Sequence, residues 1–343
     1  MKLGRILRSS PDGDVARIVS VEPERKRVID LAYAEQLRLR ARGATAETAR
    51  RLAVTVFPSS MTTAISEGRH FLDAAHEAVA SRADEATIPI DGVTWLAAID
   101  PPAIRDPVAF RVHLEHYFKK IAHQLHPNHY RMPAYYKGST ARLFGHDATI
   151  PWPSYSDFVD YELELGFVLA RGGHNLTPDE CEDMIFGVTI FNDFSARDQQ
   201  DPEMRLTLGP TLCKDFGNAL GPWITTIDEV GDPLNLQMIA RVNGEEWSRG
   251  VSSGMRWSPA ELIAYISTGD DLRPGDVLGS GTVGGGSGYE IDRKLAPGNV
   301  VELEVERLGV LRNRLGPKET RRWSPGEEER REGVGEMRAV AGR

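Results

Sequence analysis

Residues 160–169 read Asp160-Tyr161-Glu162-Leu163-Glu164-Leu165-Gly166-Phe167-Val168-Leu169, acid alternating with apolar and then apolar throughout. Residues two apart on a strand share a face, so Asp160, Glu162 and Glu164 point one way while Tyr161, Leu163 and Leu165 point the other. Two readings of the acid face stay open. An edge strand would leave it in water. A covered strand would crowd desolvated carboxylates and raise their pKa values, a conflict that a divalent cation relieves.

Working outward, Gly187-Val188-Thr189-Ile190-Phe191-Asn192-Asp193 is an apolar run that ends in a third carboxylate, Asp193, at a strand end. Oxygen-only ligands favour hard cations, Mg²⁺, Mn²⁺ or Ca²⁺, over zinc. Further β-like runs are expected at 161–170, 185–191, 236–242, 276–281 and 300–311, separated in places by turn signals such as Arg273-Pro274-Gly275-Asp276. Many strands with few intervening helices predict an α+β, β-rich core rather than a doubly wound sheet.

The segment before residue 96 reads as a small N-terminal α+β domain (1–95). Its expected strands are 15–21 and 27–31. Its expected helices are 45–56, capped by Thr45, and 61–80, with Phe71, Ala74, Ala75 and Ala78 on one face. A helix is predicted over 108–124 from the spacing of Phe110, Leu114, Phe118 and Ile121. Residues 316–343 are charged and aperiodic and predict a flexible tail, leaving 96–315 as the catalytic domain.

Across 343 residues, 41 Lys and Arg against 50 Asp and Glu give a net charge of −9, which argues against a nucleic-acid surface. Two cysteines, Cys181 and Cys213, fit a reducing compartment. Residues 1–9 lack the apolar core of a signal peptide, and no run approaches the roughly 18 apolar residues of a membrane span. A cytoplasmic protein with no membrane partner is expected.

The segments YELELGFVL (161–169), FNDFSARDQQ (191–200), LGPTLCKDFGNALGPW (208–223) and GSGTVGG (279–285) resemble the fumarylacetoacetate hydrolase superfamily in order and spacing, over roughly residues 106–315. The resemblance implies a mixed β-roll catalytic domain and a homodimer. It implies Glu162, Glu164 and Asp193 as ligands of Mg²⁺, Mn²⁺ or Ca²⁺, with Asp106 as a fourth carboxylate. Asp106 and His113 match a D-x6-H segment, which makes His113 the general base and Glu290 the acid that orients it. It further implies Lys214 beside the substrate, Thr282 as a donor to a substrate carboxylate, and Tyr136 and Gln200 as substrate contacts.

Local sequence leaves rival readings for some of these. The glycine-rich loop around Thr282 could be a flexible turn or a phosphate cradle, though it lacks G-x4-G-K-[ST]. His113, Glu115, His116, His123, His126 and His129 crowd one stretch and could bind zinc, but no H-E-x-x-H pattern is present. The function expected is metal-dependent hydrolysis of a carbon–carbon bond in a dicarbonyl or acylpyruvate-like 2-oxo acid. A decarboxylase, hydratase or isomerase of 2-oxo acids on the same fold, or a non-catalytic metal-stabilised binding protein, are the alternatives.

Overall fold

In the computed structural model, which describes residues 1–323 apart from 11, 12, 83 and 123, the strand Leu163–Leu169 lies inside a large mixed sheet. It pairs antiparallel with Ile185–Asp193 on one side and with Val277–Gly279 on the other. All seven of its residues are buried, so the edge-strand reading is excluded. Leu163, Leu165, Phe167 and Leu169 enter one apolar core together with the five-stranded sheet, whose strands include Gln237–Val242, Val300–Val305 and Gly309–Lys318. The opposite face changes character along its length, from the Glu164 carboxylate to Val168 in a second core.

That second core joins the N-terminal segment to the rest. Leu3, Ile18, Ile29, Phe57 and Phe71 cluster there with Val168, Phe191, Leu220 and Val277. The sheet is continuous as well, because Lys2–Ser10 pairs antiparallel with Asn218–Thr226, which pairs in turn with Ile185–Asp193. The nine residues of Asn218–Thr226 are all buried, as are the nine of Ile185–Asp193. Strands covered on both faces read as near-continuous apolar runs rather than alternating ones.

Several local expectations are refined. The helix Ala46–Val56 is capped as expected, with the Thr45 hydroxyl accepting from the Thr48 amide. The helix expected over 61–80 is two, Met61–Ser66 and Arg69–Arg82, broken at Gly68 with φ +60. The strand expected over 27–31 ends at Asp30, whose side chain caps a helix Leu31–Ala41 that the periodicity did not reveal. Its buried residues are Leu31, Ala32, Ala34 and Glu35, too small and mixed a set to form an apolar stripe.

The run expected over 300–311 is a hairpin, turned by Arg307 at φ 65 and Gly309 at φ 95. Its second strand continues to Lys318, so the first residues of the expected tail finish a strand beside Thr149–Trp152. Residues 324–343 of that tail lie outside the described residues. The helix expected over 108–124 spans Arg111–Lys120 and stops near Ala122, which has φ 55. Among the described residues, no helix is long and apolar enough to cross a membrane.

Candidate active site

The acid face separates into three environments. Asp160 is fully buried and accepts from the Gly288 and Tyr289 amides, both at 2.9 Å, and from Arg197 Nε at 2.9 Å. Glu162 stands between two cations. Its Oε1 is 2.8 Å from Arg197 Nη2, within ion-pair distance but without hydrogen-bond alignment, and its Oε2 accepts from Lys214 Nζ. Glu164 faces Asp106 and Asp193, and one carboxylate oxygen from each of the three lies within 4.8 Å of the others.

The positions follow from the strands. Glu164 sits near the start of Leu163–Leu169, Asp193 at the end of Ile185–Asp193, and Asp106 on Ile104–Pro107, parallel to Val277–Gly279. The glycine-rich loop holds Asp106 in place: the Gly281 amide donates to Asp106 Oδ1 at 3.2 Å, and Gly281 has φ +70. Thr282 donates to Glu164 at 3.0 Å. In this structure the loop therefore donates to carboxylates.

Burial raises the pKa of Asp106 and Glu164 well above the carboxylate range, with neighbouring acids adding to it: chiefly Asp193 for Asp106, and Asp106 for Glu164. Burial also pushes Asp193 up to about 6, with Lys214 opposing the rise. Burial would raise Glu162 too, but Lys214 and then Arg197 outweigh it and hold that group well below its ordinary value. Lys214 donates to Asp193 Oδ2 as well as to Glu162, and Tyr136 donates to the same Oδ2 at 2.8 Å. Glu164 Oε2 and Asp193 Oδ1 are buried and have no hydrogen-bond partner. Orphaned oxygens in an oxygen-only set are what a hard divalent cation fits.

His113 lies on the first turn of Arg111–Lys120, and its Nδ1 is 2.8 Å from Glu290 Oε2. The other oxygen of Glu290 is 3.0 Å from His116 Nδ1, and Ser287 Oγ and the Gly285 amide also donate to this carboxylate. Burial favours a raised pKa for Glu290, but these bonds, His113 foremost, overcome it and keep the acid below its usual value. An ionised Glu290 accepts from Nδ1–H and leaves His113 Nε2 with its lone pair. Among the described residues, the group placed to hold a metal is Asp106, Glu164 and Asp193, not the histidine cluster; His123 lies outside the described residues.

These groups open on one cavity of about 260 Å³, lined by Asp106, His113, Tyr136, Glu162, Glu164, Gln200, Lys214 and Thr282, among others. Gln200 accepts from Arg197 at 3.0 Å. Local sequence does not single out Arg197, which stands in FNDFSARDQQ; its one signal is an arginine directly after the short buried strand Ser195–Ala196.

The family model described as fumarylacetoacetate (FAA) hydrolase C-terminal matches residues 103–316. The chain belongs to this family. It is 30% identical over 232 residues to an uncharacterised protein of Staphylococcus haemolyticus, covering 67% of this chain and 74% of that one. Its fold is similar to maleylpyruvate hydrolase from Sphingobium sp. SYK-6 in complex with manganese(II) and pyruvate (TM-score 0.68, 20% identity, 93% and 100% of the two chains). It is also similar to 5-carboxymethyl-2-hydroxymuconate delta-isomerase from Mycobacterium smegmatis (TM-score 0.62, 22% identity, 93% and 100%). These structural neighbours are named a hydrolase and an isomerase, and the fold shared with them is mixed α+β and β-rich.

Proposed function

We propose that this chain is a divalent-metal-dependent hydrolase that cleaves a carbon–carbon bond in a dicarbonyl or acylpyruvate-like 2-oxo acid. The observation that carries the reading is His113, paired with Glu290, facing the same cavity as the crowded carboxylates. Asp106, Glu164 and Asp193 would hold Mg²⁺, Mn²⁺ or Ca²⁺, with Glu162, which stands between Arg197 and Lys214, as the further expected ligand. When bound, the ion would supply Lewis-acid charge to neighbouring substrate oxygens.

The protein's own groups carry the protons. Glu290 fixes the His113 tautomer, so Nε2 takes a proton from water, and the same carboxylate stabilises the resulting imidazolium. The hydroxide adds to the carbonyl carbon farther from the substrate carboxylate. The bond between that carbon and the adjacent methylene then breaks, its electron pair passing to the 2-oxo acid fragment as an enolate. The Lys214 ammonium faces this charge, and the proton on His113 returns to the methylene carbon. Thr282, Tyr136 and Gln200 orient the substrate. The products are a carboxylic acid and a 2-oxo acid.

The test is product analysis by NMR after incubation with acylpyruvates. Turnover is expected to vanish on chelation and return with Mg²⁺ or Mn²⁺. His113→Ala is expected to abolish it while calorimetric metal binding persists. Full activity of His113→Ala, or no turnover across an acylpyruvate panel, would sink the hydrolase reading. Similarity to an isomerase supports a second reading, in which the same centre moves a proton and no water adds. An isomerised product with no carboxylic acid released would select it. A homodimer is the expected assembly, checked by sedimentation.

A further inference from the structure

We propose that the cavity selects 2-oxo acids whose far end is uncharged and apolar, and discriminates against a second carboxylate there. This rests on the 2-oxo acid reading of the site. The carboxylate end is deep: Glu164 is fully buried and Asp106 is 4% exposed. Toward the surface the lining changes to Val108, Leu114, Tyr117, Phe118, Met204 and Pro210, and Met204 is 48% exposed, which puts it at the mouth.

Leu114, Tyr117 and Phe118 come from the helix that carries His113, at steps of one, four and five residues. Leu114, Tyr117 and Phe118 are half-buried and line the cavity. A substrate tail would cover them, as the apolar walls of ligand sites require.

A second carboxylate would need a cation. Among the described lining residues the sole Lys or Arg is Lys214, which is buried at the deep end of the cavity beside Glu162 and Asp193 and away from the exposed mouth. His129 also lines the cavity, with its ring 5.5 Å from that of Phe118. Burial, and then His126, lower its pKa, so it is neutral at neutral pH. A volume of about 260 Å³ favours a short tail, since it lies just below the roughly 300 Å³ where small-molecule clefts usually begin.

The discriminating pair is 2-oxohexanoate and 2-oxoadipate, which share a six-carbon chain and differ only in a terminal methyl or carboxylate. Calorimetric titration of the Mn²⁺-loaded protein at pH 7.5 is expected to show 2-oxohexanoate binding at least about 30-fold tighter. Met204→Arg, which sets a guanidinium at the mouth, is expected to tighten 2-oxoadipate about fivefold or more. Equal or reversed affinities, or binding of neither acid, would overturn the proposal. Turnover of acylpyruvates, measured in parallel, separates this from the hydrolase reading. The expected affinity order without carbon–carbon cleavage removes the hydrolase and keeps the selectivity. Faster cleavage of carboxylate-tailed acylpyruvates removes the selectivity alone.

Discussion

Gly279 packs directly onto Asp106: a Cβ built on Gly279 would lie 2.0 Å from the Asp106 carboxylate oxygen Oδ1. Any other residue at 279 must move the carboxylate or the strand that carries it. Gly279→Ala is therefore expected to shift Asp106 away from Glu164 and Asp193 while the rest of the sheet stays folded. Metal affinity should fall by about 10- to 100-fold, the range seen when the groups supporting a ligand are disturbed. Calorimetric Mn²⁺ titration measures it, and unchanged affinity would mean that Asp106 does not help to hold the cation.

Glu290 receives both His113 and His116. Glu290→Gln keeps the shape but replaces an ionised acceptor with a neutral amide that can present its donor to Nδ1. The His113 tautomer is then free to invert, and kcat is expected to drop about 10²- to 10⁴-fold with KM little changed. His116→Ala leaves the His113 bond in place and should cost less than about tenfold. Equal losses in the two variants would make His116 as important as the carboxylate itself.

The same carboxylate predicts a pH dependence of stability. Its folded-state pKa lies below the ordinary glutamate value of 4.5, because the bonds from His113 and its neighbours outweigh burial. An acid with a depressed folded pKa contributes stability that is fully present above 4.5 and is lost as pH falls through the folded value. The Tm difference between wild type and Glu290→Gln should therefore hold from pH 7 down to about 5 and shrink below it. A gap that widened in acid would contradict the sign.

Arg197 lies between Asp160 and Glu162, its side chain 2% exposed. Arg197→Leu would strip two buried acids of a shared cation. Breaking a buried pair from one side costs about 3–5 kcal/mol, so a clear loss of Tm is expected. Thermal unfolding monitored by circular dichroism measures this. A variant as stable as wild type would show that Lys214 and the Gly288 and Tyr289 amides suffice without it.

Much of the architecture was legible in local pattern. The apolar runs at 161–170 and 185–191 announced strands but not whether they lie at an edge or inside the sheet, and Thr45 announced its helix. The helix Leu31–Ala41 was not legible, because small residues and Glu35 fill its buried side. The strand Asn218–Thr226 was not legible, since Gly221-Pro222 reads as a turn. The apolar positions of Arg111–Lys120 were legible as a stripe, but a stripe does not say whether a core or a cavity lies opposite.

Alternation along residues 160–165 by itself set Asp160, Glu162 and Glu164 apart from the core-facing Tyr161, Leu163 and Leu165, although the structure divides the run between the strands Val159–Asp160 and Leu163–Leu169. Only the tertiary structure decided their separate partners. Asp160 went to Arg197 and to amides some 128 residues away, and Glu162 to Arg197 and to Lys214, 52 residues on. Glu164 went to Asp106 and Asp193, with Thr282 donating to it from 118 residues on. A strand's sequence sets the direction in which a carboxylate points. Its charge state and its chemistry depend on which distant strands are packed against it, and those are chosen by the cooperative burial of the whole sheet.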